Sequence, residues 1–159
     1  MKNRILLFLL IAFVSGTACK DDDDGGNGAP PSGYDLIINK NFRIVDQEVK
    51  ANGSIIADGR DLLNCELDNL DRYESSGTAS TRFGILKCNA NEPNEQFYFW
   101  SLISEDTKLI LDHGGPSLSV YNILVNNGSR LVLERYTIED INNDGSPESI
   151  QTTTFYTRD

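Results

Sequence analysis

Asp140, Asn142, Asp144 and Gly145 stand in the order Asp-x-Asn-x-Asp-Gly, followed by Ser146 and Glu148. Oxygens at the first, third and fifth positions of such a loop converge on a cation, because glycine at the sixth lets the backbone turn sharply. Asp140, Asn142 and Asp144 would supply side-chain oxygens, Ser146 a carbonyl and Glu148 the ninth-position ligand for a weak structural calcium. Position twelve is Gln151, where an EF-hand carries a bidentate glutamate, so a true EF-hand is excluded. Asn, Asp and Gly are equally what a long hairpin turn uses, and that alternative stays open.

No catalytic residue emerges elsewhere. His113, the single histidine, lies in a Gly-Gly-Pro turn beside Asp112. Neighbours on an extended chain point to opposite sides, which leaves Asp112 badly placed to orient it in a triad with Ser117 or Ser119. The chain has no G-x-S-x-G elbow, and one histidine builds no familiar zinc site. The carboxylate pairs Glu105-Asp106 and Glu139-Asp140 fall in polar turns. A non-enzymatic protein without a catalytic cofactor is expected. The run Phe97-Tyr98-Phe99-Trp100 alternates, so one aromatic pair must fill a core while the other faces out, either packed under a loop or as a platform for a sugar.

The N-terminal region carries an address. Lys2 and Arg4 precede an apolar run from Ile5 to Val14. About ten residues rise about 15 Å as a helix, half of a ~30 Å hydrocarbon layer, so the run is too short to span and reads as a secretory signal peptide. The segment Ser15-Gly16-Thr17-Ala18-Cys19 resembles the lipobox of lipoprotein signal peptides, with Gly16 where leucine is usual. The resemblance implies a signal peptide over 1–18 and acylation of Cys19, with chains such as palmitate anchoring the protein in a membrane. Lys20 to Asp24 resembles the acidic export signal that follows the lipidated cysteine in surface lipoproteins of Bacteroidetes. It implies attachment to the outer membrane facing outward, with the periplasmic leaflet as the alternative. Four adjacent carboxylates and the Gly/Pro-rich stretch after them make residues 19–34 a solvated tether.

The chain has 159 residues and a net charge of −10, and it has no basic stripe, which makes nucleic acid a poor partner. With Cys19 lipidated, Cys65 and Cys88 remain as an even pair in an oxidising compartment, and a disulfide between them is expected.

From Asp35 to Asp159 the pattern is short alternating strands separated by turn residues: Asn52-Gly53, Gly77, Ser104-Glu105-Asp106, Asn126-Asn127-Gly128 and the 140–148 loop. Residues 60–69 read as a short helical or irregular crossing. In 118–124, Leu118, Val120 and Leu124 share one face, and Ser119, Tyr121 and Ile123 the other. About eight strands with short connections predict an all-β antiparallel up-and-down barrel in one domain over 35–159.

Several of these segments resemble the lipocalin-like domains of Bacteroidetes lipoproteins. The matching residues are Cys65, Asp68, Asn69, Gly77-Thr78 and Cys88, then Trp100, Leu102, Leu109, Leu111, Tyr121, Ile123, Leu131 and Leu133. The likeness covers most of 39–159. It implies that Cys88 ends the strand after the Gly77-Thr78 turn. It also implies that Phe42 replaces the tryptophan of the family's first strand. The expected function is a surface-anchored binding protein for a small apolar or amphipathic ligand. The alternative is an accessory subunit whose outer face contacts another envelope protein or a glycan.

Overall fold

The computed structural model describes residues 32–59, 62 and 64–159. The segment read from sequence as a signal peptide, Cys19 and nearly all of the stretch read as a tether lie outside those residues. Among the described residues two helices and nine strands follow in chain order: α1 (Gly33–Ile37), β1 (Asn41–Ala51), β2 (Ser54–Ala57), α2 (Asn64–Leu67), β3 (Leu70–Tyr73), β4 (Thr78–Arg82), β5 (Glu95–Ile103), β6 (Lys108–Asp112), β7 (Ser119–Asn126), β8 (Arg130–Glu139) and β9 (Glu148–Arg158).

Every pairing is antiparallel. β3 through β9 pair in sequence order, β9 pairs with β1 over nearly its full length, and β1 meets β3 through Asn41↔Arg72 and Phe42↔Asp71. Eight strands therefore close on themselves in the expected up-and-down lipocalin-like barrel. The ninth, β2, is a short arm folded back on the far end of β1. Asn52 and Gly53 make its turn with φ of 48° and 84°, the left-handed pair that a two-residue hairpin requires.

Alternation decides the faces. Phe42, Tyr73, Ala79, Trp100, Leu109 and Leu131 point inward and form a solid core at one end. Helix α1 plugs that end. Ser32 caps it, accepting from the Asp35 amide at 3.2 Å while the Asp35 carboxylate takes the Ser32 amide, a reciprocal capping box. Tyr34 stacks on Trp100 at 5.4 Å, and Ile37 is fully buried. Ser32, Gly33 and Tyr34, assigned from sequence to the tether, are thus already part of the folded unit.

The floor of the plug is tight. A Cβ on Gly33 would lie 2.6 Å from Cβ of Asp106, whose carboxylate accepts from the Tyr34 amide at 3.2 Å. Asp106 ends a run, Ser104-Glu105-Asp106, with φ of 54°, 56° and 61°. Three consecutive non-glycine residues in the left-handed region cost roughly 1–2 kcal/mol each. Thr107 helps to hold the turn, its amide and hydroxyl both donating to the Ser104 carbonyl.

One expectation from the family resemblance is corrected. Cys88 does not end a strand, because β4 stops at Arg82 and the chain runs irregularly to β5. The Asp68 and Asn69 side chains accept from the Leu86 and Gly84 amides, drawing this segment away from the sheet. The Cys65–Cys88 disulfide is present, with its Cα atoms 5.2 Å apart, and it links α2 to the irregular segment.

Candidate ligand-binding cavity

The barrel end opposite α1 is hollow. A cavity of about 430 Å³ opens there between the upper parts of β1, β8 and β9, with Ile56 of β2 and Ile141 of the 140–147 loop at its mouth. Its size falls in the range of small-molecule sites. The lining follows from register. Inward positions on β9 (Ile150, Thr152, Thr154, Tyr156) stand beside inward positions on β8 (Leu131 to Thr137, every second residue) and on β1 (Ile44, Gln47, Val49). A register shift between Ile44 and Asp46 keeps Gln47 and Val49 inward after the alternation skips a residue. The lining mixes Ile44, Val49 and Ile150 with Gln47, Thr152 and Arg135. That composition suits an amphipathic occupant better than a purely apolar one.

Tyr121 and Tyr156 form the cavity floor, and beneath them lies a polar network. The Thr81 hydroxyl donates to Asp71 Oδ1 at 2.6 Å and sits 3.2 Å from the Tyr98 hydroxyl, while Tyr98 and Tyr156 also hydrogen-bond the Asp71 carboxyl. Burial pushes the Asp71 carboxyl above the usual carboxylate range. The bonds from Thr81 and Tyr98, the charge of His113 and the bond from Tyr156 oppose the shift without cancelling it. Burial, reinforced by the charge of Asp71, drives the Tyr98 and Tyr156 hydroxyls up as well. They therefore stay protonated at physiological pH.

A carboxyl raised in the folded state binds its proton more tightly there than in the unfolded chain. Asp71 therefore lowers stability as pH rises from the unfolded value near 4, and the deficit persists at neutral pH. Asp71→Asn is expected to melt at a higher temperature than wild type near pH 7 and at the same temperature near pH 3.5. Thermal unfolding followed by circular dichroism at both pH values checks this; a lower melting temperature at pH 7 alone would mean that the ionised network stabilises the fold.

The residues singled out from sequence are placed as follows. Tyr98 and Trp100 point into the barrel, while Phe97 and Phe99 are each 66% exposed on the outside. Tyr121 and Ile123 pack against the core, and Leu118, Val120 and Leu124 face out. His113 rests on the Tyr98 ring at 4.7 Å, and the Asp112 carboxylate accepts from the Gly114 amide. No triad forms.

Asp140, Asn142, Asp144 and Glu148 are brought together at the cavity mouth, but by hydrogen bonds of their own. Asp140 accepts from the Asp144 and Gly145 amides, and Asp144 from the Ser146 amide. Glu148 accepts from the Ile141 amide at 3.1 Å and the Asn142 side chain at 2.8 Å. Among the described residues no group of three or more His, Cys, Asp or Glu side chains is arranged to hold a metal ion.

No family model matches the chain, and no curated protein matches it. Among solved structures a deswapped triple mutant of bovine odorant-binding protein is similar, at 12% identity and a TM-score of 0.39, over 74% of this chain and 71% of that one. The lipocalin-like description rests on the strand order and closure of this barrel itself.

Proposed function

We propose that the protein is a non-enzymatic lipoprotein, anchored through acylated Cys19 to the outer membrane and displayed at the cell surface, whose barrel takes up one small amphipathic ligand. The observation that carries the ligand reading is the half-filled barrel: a solid aromatic floor sealed by α1 at one end, and a cavity of about 430 Å³ with a mixed lining at the other. A barrel kept only as a scaffold fills its interior, as this one does in its lower half. The anchor is supported by the lipobox-like segment before Cys19 and by Asp21 to Asp24 after it.

Titration with a neutral naphthylamine fluorophore, displaced by decanol, tests the ligand reading. Thr137→Trp, which places an indole in the upper cavity, is expected to abolish saturable binding. Uptake unchanged in that variant, or none in wild type, overturns the reading. Labelled palmitate tests the anchor, since label retained in Cys19→Ala removes it.

A second reading, an accessory subunit working through its outer face, is supported by Phe97 and Phe99. With Leu118 and Val120 they leave an apolar stripe uncovered on β5–β7. On that reading Phe97→Ser combined with Phe99→Ser disrupts assembly with the envelope partner and leaves the cavity's fluorophore binding intact.

A further inference from the structure

Arg135 is a cation inside the cavity with no counter-ion among the described residues. It sits midway along β8 on the inward face, level with Thr152 of β9 and Val49 of β1. Its guanidinium lies 5.9 Å from the centre of the Tyr121 ring, and among the described residues that ring is its only recorded partner. The carboxylates near it are engaged or distant. Glu134, its neighbour on β8, accepts from the side chains of Gln151 at 2.6 Å and Asn122 at 3.3 Å. Asp71 is held by Thr81, Tyr98 and Tyr156. Glu139 lies four residues further along the same face, about 13 Å away at the rise of a strand. Gln47 and Thr154 bond each other at 3.2 Å. The cationic donor at this level is therefore Arg135, with the Thr152 hydroxyl beside it.

We propose that the ligand is a monocarboxylate with an apolar tail, its carboxylate held by Arg135 and its tail lying along Ile44, Val49, Ile56 and Ile150. The inference rests on the reading of the cavity as a ligand site and names the ligand's head group. A guanidinium offers paired donors in a planar fork that matches a carboxylate edge to edge, and the ring of Tyr121 keeps that fork oriented while unoccupied. A phosphate, with more charge and more acceptors, would call for more than one cation, and among the described residues Arg135 is the only Lys or Arg in the lining. Glu139 and the acidic 140–148 loop at the mouth oppose an entering anion, so neutralising Glu139 strengthens binding.

Calorimetric titration of the intact protein with decanoate, decanol and decylamine separates the cases. Decanoate is expected to bind wild type roughly tenfold to a hundredfold more tightly than decanol, the range of a hydrogen-bonded ion pair withdrawn from water. Arg135→Met should abolish the preference for decanoate over decanol, and a cooperative thermal unfolding transition shows that the variant is folded. Arg135→Lys should retain part of the preference, and Glu139→Gln should increase decanoate affinity. Equal binding of decanoate and decanol by wild type, tighter binding of decylamine, or a decanoate preference that survives Arg135→Met overturns the head-group assignment and leaves the cavity reading standing. Failure of all three probes to bind overturns both.

Discussion

Trp100→Ala is expected to lower the unfolding free energy by about 3–5 kcal/mol, the range for removing a large aromatic side chain from a packed core. Trp100 is 5% exposed and performs three tasks at once. Its ring stacks on Tyr34 at 5.4 Å and meets the Tyr73 ring edge-on at 5.3 Å, and its indole N–H donates to the Glu74 carbonyl at 2.9 Å. The first contact holds α1 on the barrel, the second joins β5 to β3 across the interior, and the third fixes the β3–β4 turn. Alanine removes all three and leaves a void that α1 is too short to fill.

Against a total of 5–15 kcal/mol for an ordinary domain, such a loss leaves a marginal fold. Urea unfolding followed by circular dichroism measures it as a fall in midpoint at constant slope. Trp100→Phe separates the causes, since it keeps most of the packing and loses the hydrogen bond, and a smaller cost of roughly 1–2 kcal/mol is expected. Trp100 is the single tryptophan, so wild-type fluorescence reports on this floor directly, and its emission should be blue-shifted and shift to the red only on global unfolding. If Trp100→Ala unfolds within 1 kcal/mol of wild type, α1 does not seal the barrel in the way described.

The barrel wall was legible in the sequence because a half-buried strand writes its faces at period two. Tyr98 and Trp100 against Phe97 and Phe99, or Tyr121 and Ile123 against Leu118 and Val120, can be sorted before any coordinates. Which set faces inward cannot, because both sets are apolar. Closure depends on pairing between β1 and β9, which local patterning does not encode.

The cavity was less legible still. Arg135, Thr137 and Glu139 read as the polar face of a strand, the side normally given to solvent. In the upper barrel that alternation is inverted in meaning, because a hollow interior admits polar side chains that a filled one excludes. Asp71 was hidden similarly, as one more acid in a chain with 24 acidic residues. Its distinction lies in its neighbours Thr81, Tyr98 and Tyr156, contributed by three other strands. A carboxylate on a strand amid residues of period two, opposite threonine and aromatics, was the available signal. The 140–148 loop illustrates the opposite difficulty. Its motif was easy to see, yet a turn that satisfies its own amides and a loop that wraps a cation draw on the same residues.

Opening the Cys65–Cys88 disulfide is expected to cost about 3 kcal/mol, the chain-entropy value for a loop of about two dozen residues. Its location argues for an effect of that size. β1 and β3 share only two residue pairs, which makes their junction the narrowest part of the wall. The chain between β2 and β3 contains α2, and that between β4 and β5 is irregular, so neither contributes to the strand ladder. The disulfide joins these two connections, and the side-chain bonds from Asp68 and Asn69 to the Leu86 and Gly84 amides run in parallel with it. Because the native rim keeps those bonds, the folded state changes little when the disulfide is opened. The unfolded chain gains freedom instead. Cys65→Ser combined with Cys88→Ser is therefore expected to lower the urea midpoint while raising the slope, since a chain without the cross-link exposes more surface on unfolding. Hydrogen exchange should remain slow in β7–β9 and quicken first in β3 and the adjoining start of β1. A midpoint within experimental error of wild type, or exchange that quickens uniformly around the barrel, would show that the β1–β3 junction holds without its cross-link.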